Sequence, residues 1–380
     1  VTPHPALSRR ALLQGAATLG GVAGLTALTG GCAYLPSDAA TTTTALPASA
    51  KAVIDGDLVY FNWADYLDPS VFTGFEKEYG VKIIQSNFDS MEGMYAKLQA
   101  GNQYDIVFPI AKWVQRLRAE GKLRAIDHAQ LSNADQVFHS GSYFVDPWYD
   151  EKSAVSVPFT VYKTGIGWRT DKVGTMTNSW RDLWNPEAAR RIYTLDDQDE
   201  ALAMGALLLG YDVNTAKQSE LDEIKKLLIS QKKYLRGYSS DDVNNMVGGN
   251  AWIHHMWSGD FLYLRTSLVK KPENYDFQAP KEGVPINSDA YAIPVNAQHP
   301  GTAMVFIDYL LRPEIAKKNI EYLSYPMPVR DAMPAFEALA KDVPACNVEL
   351  SELESGNVFR NLSADAVQRR TATWTDVRAS

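Results

Sequence analysis

Leu58 to Phe88 reads LVYFNWADYLDPSVFTGFEKEYGVKIIQSNF, and its alternation of elements decides the fold. LVYFNW reads as a strand, rich in the aromatic and β-branched residues that suit a pleated surface. PSVFTGFEKEYG follows with helical spacing and ends at Gly80, and VKIIQSNF is a second strand. The pattern continues with a helix from Met91 to Gln99 and, after Gly101, the strand YDIVFP. Strands separated by helical crossovers imply an α/β fold with a parallel sheet covered on both faces. In such sheets ligands gather beyond the C-terminal strand ends, which is where Trp63, Asp89 and Pro109 fall. Within this stretch, YFNWADYL at 60–67 has four aromatic side chains and a single carboxylate. Such rings either pack a core or line a cavity built for a cationic guest.

A second block begins near Val155 with SVPFTVYKTGIGW. It continues with helical stretches at Asp199–Leu209 and Glu220–Ser230 and the strand-like AWIHHMW. SDAYAIPV is again a strand and Gly301–Leu311 a helix, and no internal repeat is found. At over 300 residues, the part beyond Asp55 exceeds the length over which one core usually grows, so two domains are expected.

Upstream, Ser8-Arg9-Arg10-Ala11-Leu12-Leu13 leads into an almost uncharged run up to Cys32. A basic start before an apolar stretch is the organisation of an export signal, and the paired arginines resemble a twin-arginine signal. Cys32 follows LTGG, which is similar to a lipoprotein cleavage site with Thr29 where Leu is usual. A lipid anchor at Cys32 and a plain exported product both stay open. The expected location is the periplasm or the outer face of the cytoplasmic membrane. Residues 33–56 are poor in large apolar side chains and are expected to form a flexible tether.

The formal net charge is −8, and loss of Arg9 and Arg10 with residues 1–32 takes it to −10. That balance argues against nucleic acid and gives mild long-range attraction for cations. Two cysteines, one of them Cys32, exclude a disulfide framework. Six histidines with no ligand-spaced Cys/His set argue against structural zinc.

YFNWADY, FDSMEGMYAKLQAG, YDIVFP, NSWRDLWNPE, MWSGD, SDAYAIP and YPMPV occur in this order along the chain. Taken together they resemble the bacterial periplasmic spermidine/putrescine-binding proteins, the solute receptors of polyamine ABC importers. No single piece is decisive, but the ordered set extends from about Asp57 to the C-terminus. The resemblance implies a two-lobed periplasmic binding protein fold with the ligand cleft between α/β lobes. The first lobe would comprise residues 57–160 and 288–333, the second 161–287 and 334–380. It further implies a monomer without cofactor or catalytic residues, whose partners are ABC transporter permease subunits with a cytoplasmic ATPase.

A polyamine is a methylene chain interrupted by ammonium groups, so its site needs flat rings along the chain and carboxylates at the amines. The resemblance carries ligand-binding roles onto Trp63, Tyr66, Asp197, Glu200, Trp257, Asp289 and Tyr325. Each has a plainer reading. Trp63 and Trp257 are equally suited to a core. Asp197 and Glu200, three apart at a helix start, also suit capping and the positive helix end. Asp289 also suits a solvated turn, whereas Tyr325 before Pro326 is held extended.

Departures from the family pattern bear on specificity. Where relatives commonly have Ser-Thr-Tyr after the strand proline, this chain has Ile110-Ala111-Lys112 before Trp113. Where a tryptophan commonly stands two residues before the binding aspartate, Asn287 stands here. Asp89, Lys112, Trp113, Asp260 and Asn287 are candidate specificity modifiers. Lys112 either points into solvent, leaving a polyamine site of altered length preference, or enters the cleft, where a zwitterionic amine becomes a second ligand class. An enzyme using Asp197 and Asp289 as acid and base lacks a nucleophile elbow, and TGIG lacks the spacing of a cofactor loop.

Overall fold

The computed structural model describes residues 52–138 and 146–380. The expected export signal, Cys32 and most of the expected tether lie outside the described residues. Among the described residues, nine strands form one hydrogen-bonded sheet: β1 (Leu58–Trp63), β2 (Ile83–Phe88), β3 (Ile106–Val107), β4 (Ser156–Arg169), β5 (Ile192–Thr194), β6 (Leu235–Tyr238), β7 (Ile253–Trp257), β8 (Tyr275–Gln278) and β9 (Ile286–Ala292). Their order is β2-β1-β3-β9-β4-β7-β5-β6, with β8 paired to β4.

Two parallel cores lie along this path. β1 runs parallel to β2 and β3, and β5 runs parallel to β6 and β7. They are joined by the antiparallel pair β4 and β9. Ser156 to Lys163 of β4 pairs with β9, whereas Thr164 to Trp168 pairs with β7, so one continuous strand passes from the first core to the second. β9 reaches back to the first core where Ala292 pairs with Val107 of β3. The architecture is α/β and two-lobed.

Local chemistry sets the first crossover. Helix α1 (Pro69–Tyr79) is capped by Asp68, whose side chain accepts from the Ser70 amide at 2.7 Å. It starts on a proline, whose missing amide is no loss there, and stops at Gly80, where φ of 69° suits glycine. Helix α2 (Met91–Gln99) is capped by Ser90. β1 then alternates as a two-sided strand must. Leu58 and Tyr60 face the layer holding Phe72 and Phe75 of α1 and Phe306, whereas Val59 and Phe61 face Met94, Trp113 and Leu117. Trp113 and Leu117 belong to α3 (Ala111–Ala119).

The remaining helices used below are α4 (Gln198–Leu209), α5 (Gln218–Gln231), α6 (Ser258–Tyr263), α7 (Pro300–Leu310), α8 (Pro313–Leu323) and α9 (Ala364–Ala379). The second core packs Leu202, Ala203 and Ala206 of α4 and Ile224 and Leu228 of α5 against Ile192, Ile253 and Trp180, and α9 contributes Val377. Among the described residues, no helix is long and apolar enough to cross a membrane.

Asp105 ties the first core together. It is buried, and its carboxylate accepts from the Val59 amide at 2.8 Å and from the Gln298 and His299 amides at 2.9 and 2.8 Å. It thus fastens β1 to the start of α7. Asp105→Ala leaves these amides unsatisfied and is expected to cost about 3 kcal/mol of stability. The urea midpoint measures it, and a loss under about 1 kcal/mol contradicts the assignment.

Candidate functional site

The crossing strands β4 and β9 floor a cavity of about 140 Å³ lined from both cores. Trp63, Ile110, Lys112 and Trp113 come from the first, Asp197, Asp199, Glu200, Ser240 and Trp257 from the second, and Tyr162, Asn287 and Asp289 from the crossing strands.

Asp289 sits at the centre of this floor, opposite Thr160 in the β4–β9 register. It is buried, and its carboxylate accepts from Thr160 Oγ1 at 3.1 Å, Tyr162 Oη at 3.3 Å and the Tyr66 hydroxyl. Hydroxyl donors from separate segments therefore support a negative charge that burial alone would penalise. Tyr66 is itself held edge-on by Phe159 and Tyr325, with ring centroids at 5.4 and 6.5 Å.

Two tryptophans flank the cavity, one from each core. Trp63 ends β1 and packs edge-on against Phe88 at 4.7 Å, and its indole Nε1 is buried without a hydrogen-bond partner. Trp257 ends β7, and its amide donates to Asp242 at 3.3 Å.

The α4 start supplies the acidic side. Asp197 caps the helix, accepting from the Asp199 and Glu200 amides at 2.9 and 3.2 Å, so the capping reading and the cavity reading hold together. Glu200 is buried and accepts from Thr164 Oγ1 at 2.7 Å. Burial, reinforced by the Asp197 charge, pushes its carboxyl well above the ordinary range. His255 lies 4.0 Å away, but burial and then His254 lower its own value to about 3, so it brings no positive charge. Asp199 differs. Burial pushes it up, but Lys112 and Arg370 outweigh that and hold it down to about 2.

Lys112 thus enters the cleft and bonds Asp199 on the opposite wall. Of the other residues singled out in the sequence, Trp113 and Asn287 line the cavity, whereas Asp89 is exposed and outside the lining. Tyr66 and Tyr325 are each 1% exposed and stand one layer behind it. Tyr66 acts on the cavity through Asp289, and Tyr325 donates to Asp260 at 2.7 Å and packs edge-on against Tyr162 at 5.5 Å. Tyr325 also lies flat on Gly259, where an added Cβ would meet its ring at 2.2 Å.

Ser90, Met91, Glu92, Ile110, Tyr162, Asp199, Ser240 and Phe359 line the cavity without having been singled out. Tyr162 stands two residues beyond Thr160 on the same face of β4, a relation that the register with Asp289 alone ties to the site. Asp199 figured in the sequence only as the first residue of a helical stretch, and Phe359 has no local signal. Among the described residues, no group of three or more His, Cys, Asp or Glu side chains is placed to hold a metal ion.

The family described as bacterial extracellular solute-binding protein matches residues 70–345. The spermidine/putrescine-binding periplasmic protein of Salmonella typhimurium is 34% identical over 294 residues, covering 75% of this chain and 81% of its own. The protein of the same description from Escherichia coli is 33% identical over 293 residues, with the same coverage. Among solved structures, the spermidine/putrescine ABC transporter substrate-binding protein of Streptococcus pneumoniae superposes with a TM-score of 0.74 at 25% identity, covering 85% of this chain and 99% of that one.

Glu200 keeps its proton in the folded protein at pH values where the unfolded chain has released it, near the ordinary 4.5. The stability linked to this group is therefore full below that pH and lost as pH rises toward the elevated folded value. Glu200→Gln removes the loss. The ligand-free variant should melt close to the parent at about pH 4 and several degrees above it at about pH 8, as read by scanning calorimetry. Parallel melting curves across that range contradict the assignment.

Proposed function

We propose that this chain, which belongs to the family of bacterial extracellular solute-binding proteins and delivers its solute to an ABC transporter, captures a polyamine of the spermidine or putrescine class. The observation that carries the reading is Asp289, a buried carboxylate supported by Tyr66, Thr160 and Tyr162 on the cavity floor, with Trp63 and Trp257 on the walls. An ammonium group at Asp289 makes a charge-assisted hydrogen bond that offsets its desolvation. The two indoles attract the cationic chain by roughly 0.5 to 2 kcal/mol each. The names of the Salmonella and Escherichia relatives support the same class.

Capture is reversible. The lobes, divided as 57–160 with 288–333 and 161–287 with 334–380, rotate about β4 and β9 and enclose the amine. Solute affinity for the closed state drives that shift, and the transporter's ATPase supplies the energy of import. The family is a non-catalytic class, and the proposed chemistry is binding alone. Residues 1–32 direct export to the periplasm or the outer face of the cytoplasmic membrane, with Cys32 as the lipid anchor in the second case, and the receptor works as a monomer.

A second reading, a zwitterionic amine, is favoured by one observation: Lys112 enters the cavity, where a carboxylate could meet it. Calorimetric titration of the leaderless, ligand-free protein separates the two. Putrescine or spermidine should release heat and raise the melting temperature, whereas an ω-amino acid and inorganic anions should do neither. Heat from the ω-amino acid with none from either amine contradicts the polyamine reading.

Asp289→Asn should weaken amine binding by about 2 kcal/mol, roughly 30-fold or more, since an ammonium loses its charged partner in a partly closed cleft. An unchanged dissociation constant in a variant that melts like the parent returns Asp289 to a structural role.

A further inference from the structure

Lys112 is placed where a cation is costly. It is the second residue of α3, at the positive end of that helix, and its side chain is mostly withdrawn from solvent at 27% exposure. The helix start is anchored beside the cavity floor. Ile110 bridges Asp289, and the Ala290 amide donates to the Pro109 carbonyl at 3.0 Å. From there the four-carbon stem runs along the cavity wall and its ammonium bonds Asp199 at the start of α4.

Asp199 is fixed from behind. Arg370 of α9 is 2% exposed and approaches Asp199 at 3.4 Å, while its other terminal nitrogen donates to the Val213 and Thr215 carbonyls at 3.1 and 2.9 Å. Burial disfavours the charged form of Lys112, but Asp199, then Asp197 and Glu92, outweigh it and raise its pKa. The cation is therefore kept by carboxylates on both sides of the cleft.

A lysine side chain is a butylammonium group, chemically one arm of a polyamine. We infer that Lys112 is a built-in ammonium arm, held by Asp199 across the cleft in the place an additional aminoalkyl arm would occupy, and that it restricts the cavity to a short diamine. The inference rests on the polyamine reading. A longer triamine entering from Asp289 meets both the stem, which fills the wall, and the ammonium, which repels its third charge and already holds the carboxylate that charge would use. Lys112 acts on specificity without touching the amine at Asp289.

The test is calorimetric titration of the parent, Lys112→Ala and Lys112→Ala with Asp199→Asn, each with putrescine and with spermidine. The parent should prefer putrescine by at least tenfold. Lys112→Ala should move the ratio at least tenfold toward spermidine, because the stem is gone and Asp199 is released to an incoming amine. The double variant should lose that gain. Should the alanine variant melt early, Lys112→Ser, which also removes both the stem and the ammonium, carries the same expectation.

A parent that prefers spermidine contradicts the inference. So does an equal loss for both amines in Lys112→Ala, which would make Lys112 a tie between the lobes only, and so does a spermidine gain that survives Asp199→Asn. These outcomes leave the polyamine reading standing. No heat from either amine in the parent and in Lys112→Ala, with heat from an ω-amino acid, removes that reading and this inference with it.

Discussion

A carboxylate buried where two strands cross has to be supported by donors, and Asp289 receives them from segments far apart in the chain. Thr160 and Tyr162 belong to β4, and Tyr66 belongs to the loop after β1. The register that sets Asp289 opposite Thr160 is therefore also the register that builds the cavity floor. A one-residue slip would turn the Asp289 side chain to the opposite face and leave three hydroxyls without their acceptor. Fold and site share this constraint, because the strand that carries two of the three donors is the strand that joins the two cores.

Around that floor the acids are differentiated by their surroundings. Asp199 lies between two cations and stays ionised, with its value near 2, whereas Glu200, one residue on, is buried beside Asp197 and favours its protonated form. Adjacent residues on one helix turn thus have opposite electrostatic characters. A cavity lined by several ionised carboxylates would repel itself in the ligand-free state. Pairing one with Lys112 and Arg370 and holding another protonated relieves that repulsion while leaving the cleft acidic.

The alternation of β1, α1 and β2 was legible because its signals are local: strand composition, the end at Gly80 and helical spacing between. Trp63, Asp197, Glu200, Trp257 and Asp289 all line the cavity and were singled out through the family resemblance, and of these Trp63 was also marked by its place at the C-terminal end of a strand. Depth was not legible. Whether Tyr66 and Tyr325 touch the cavity or stand behind it depends on Phe159, Gly259 and Asp260, whose proximity only tertiary packing creates. The partner of Lys112 was equally hidden, because Asp199 lies 87 residues away. Phe359 reaches the cavity from a C-terminal segment with no motif of its own.

The central claim is that an ammonium group is held at Asp289 between the Trp63 and Trp257 rings. A crystal structure of the protein grown with putrescine tests it most directly. The account predicts the diamine in the cavity, one nitrogen within about 3 Å of the Asp289 carboxylate and the methylenes between the two indoles. Diamine bound elsewhere, or a cavity holding a molecule whose carboxylate meets Lys112 while Asp289 contacts no amine, would contradict it.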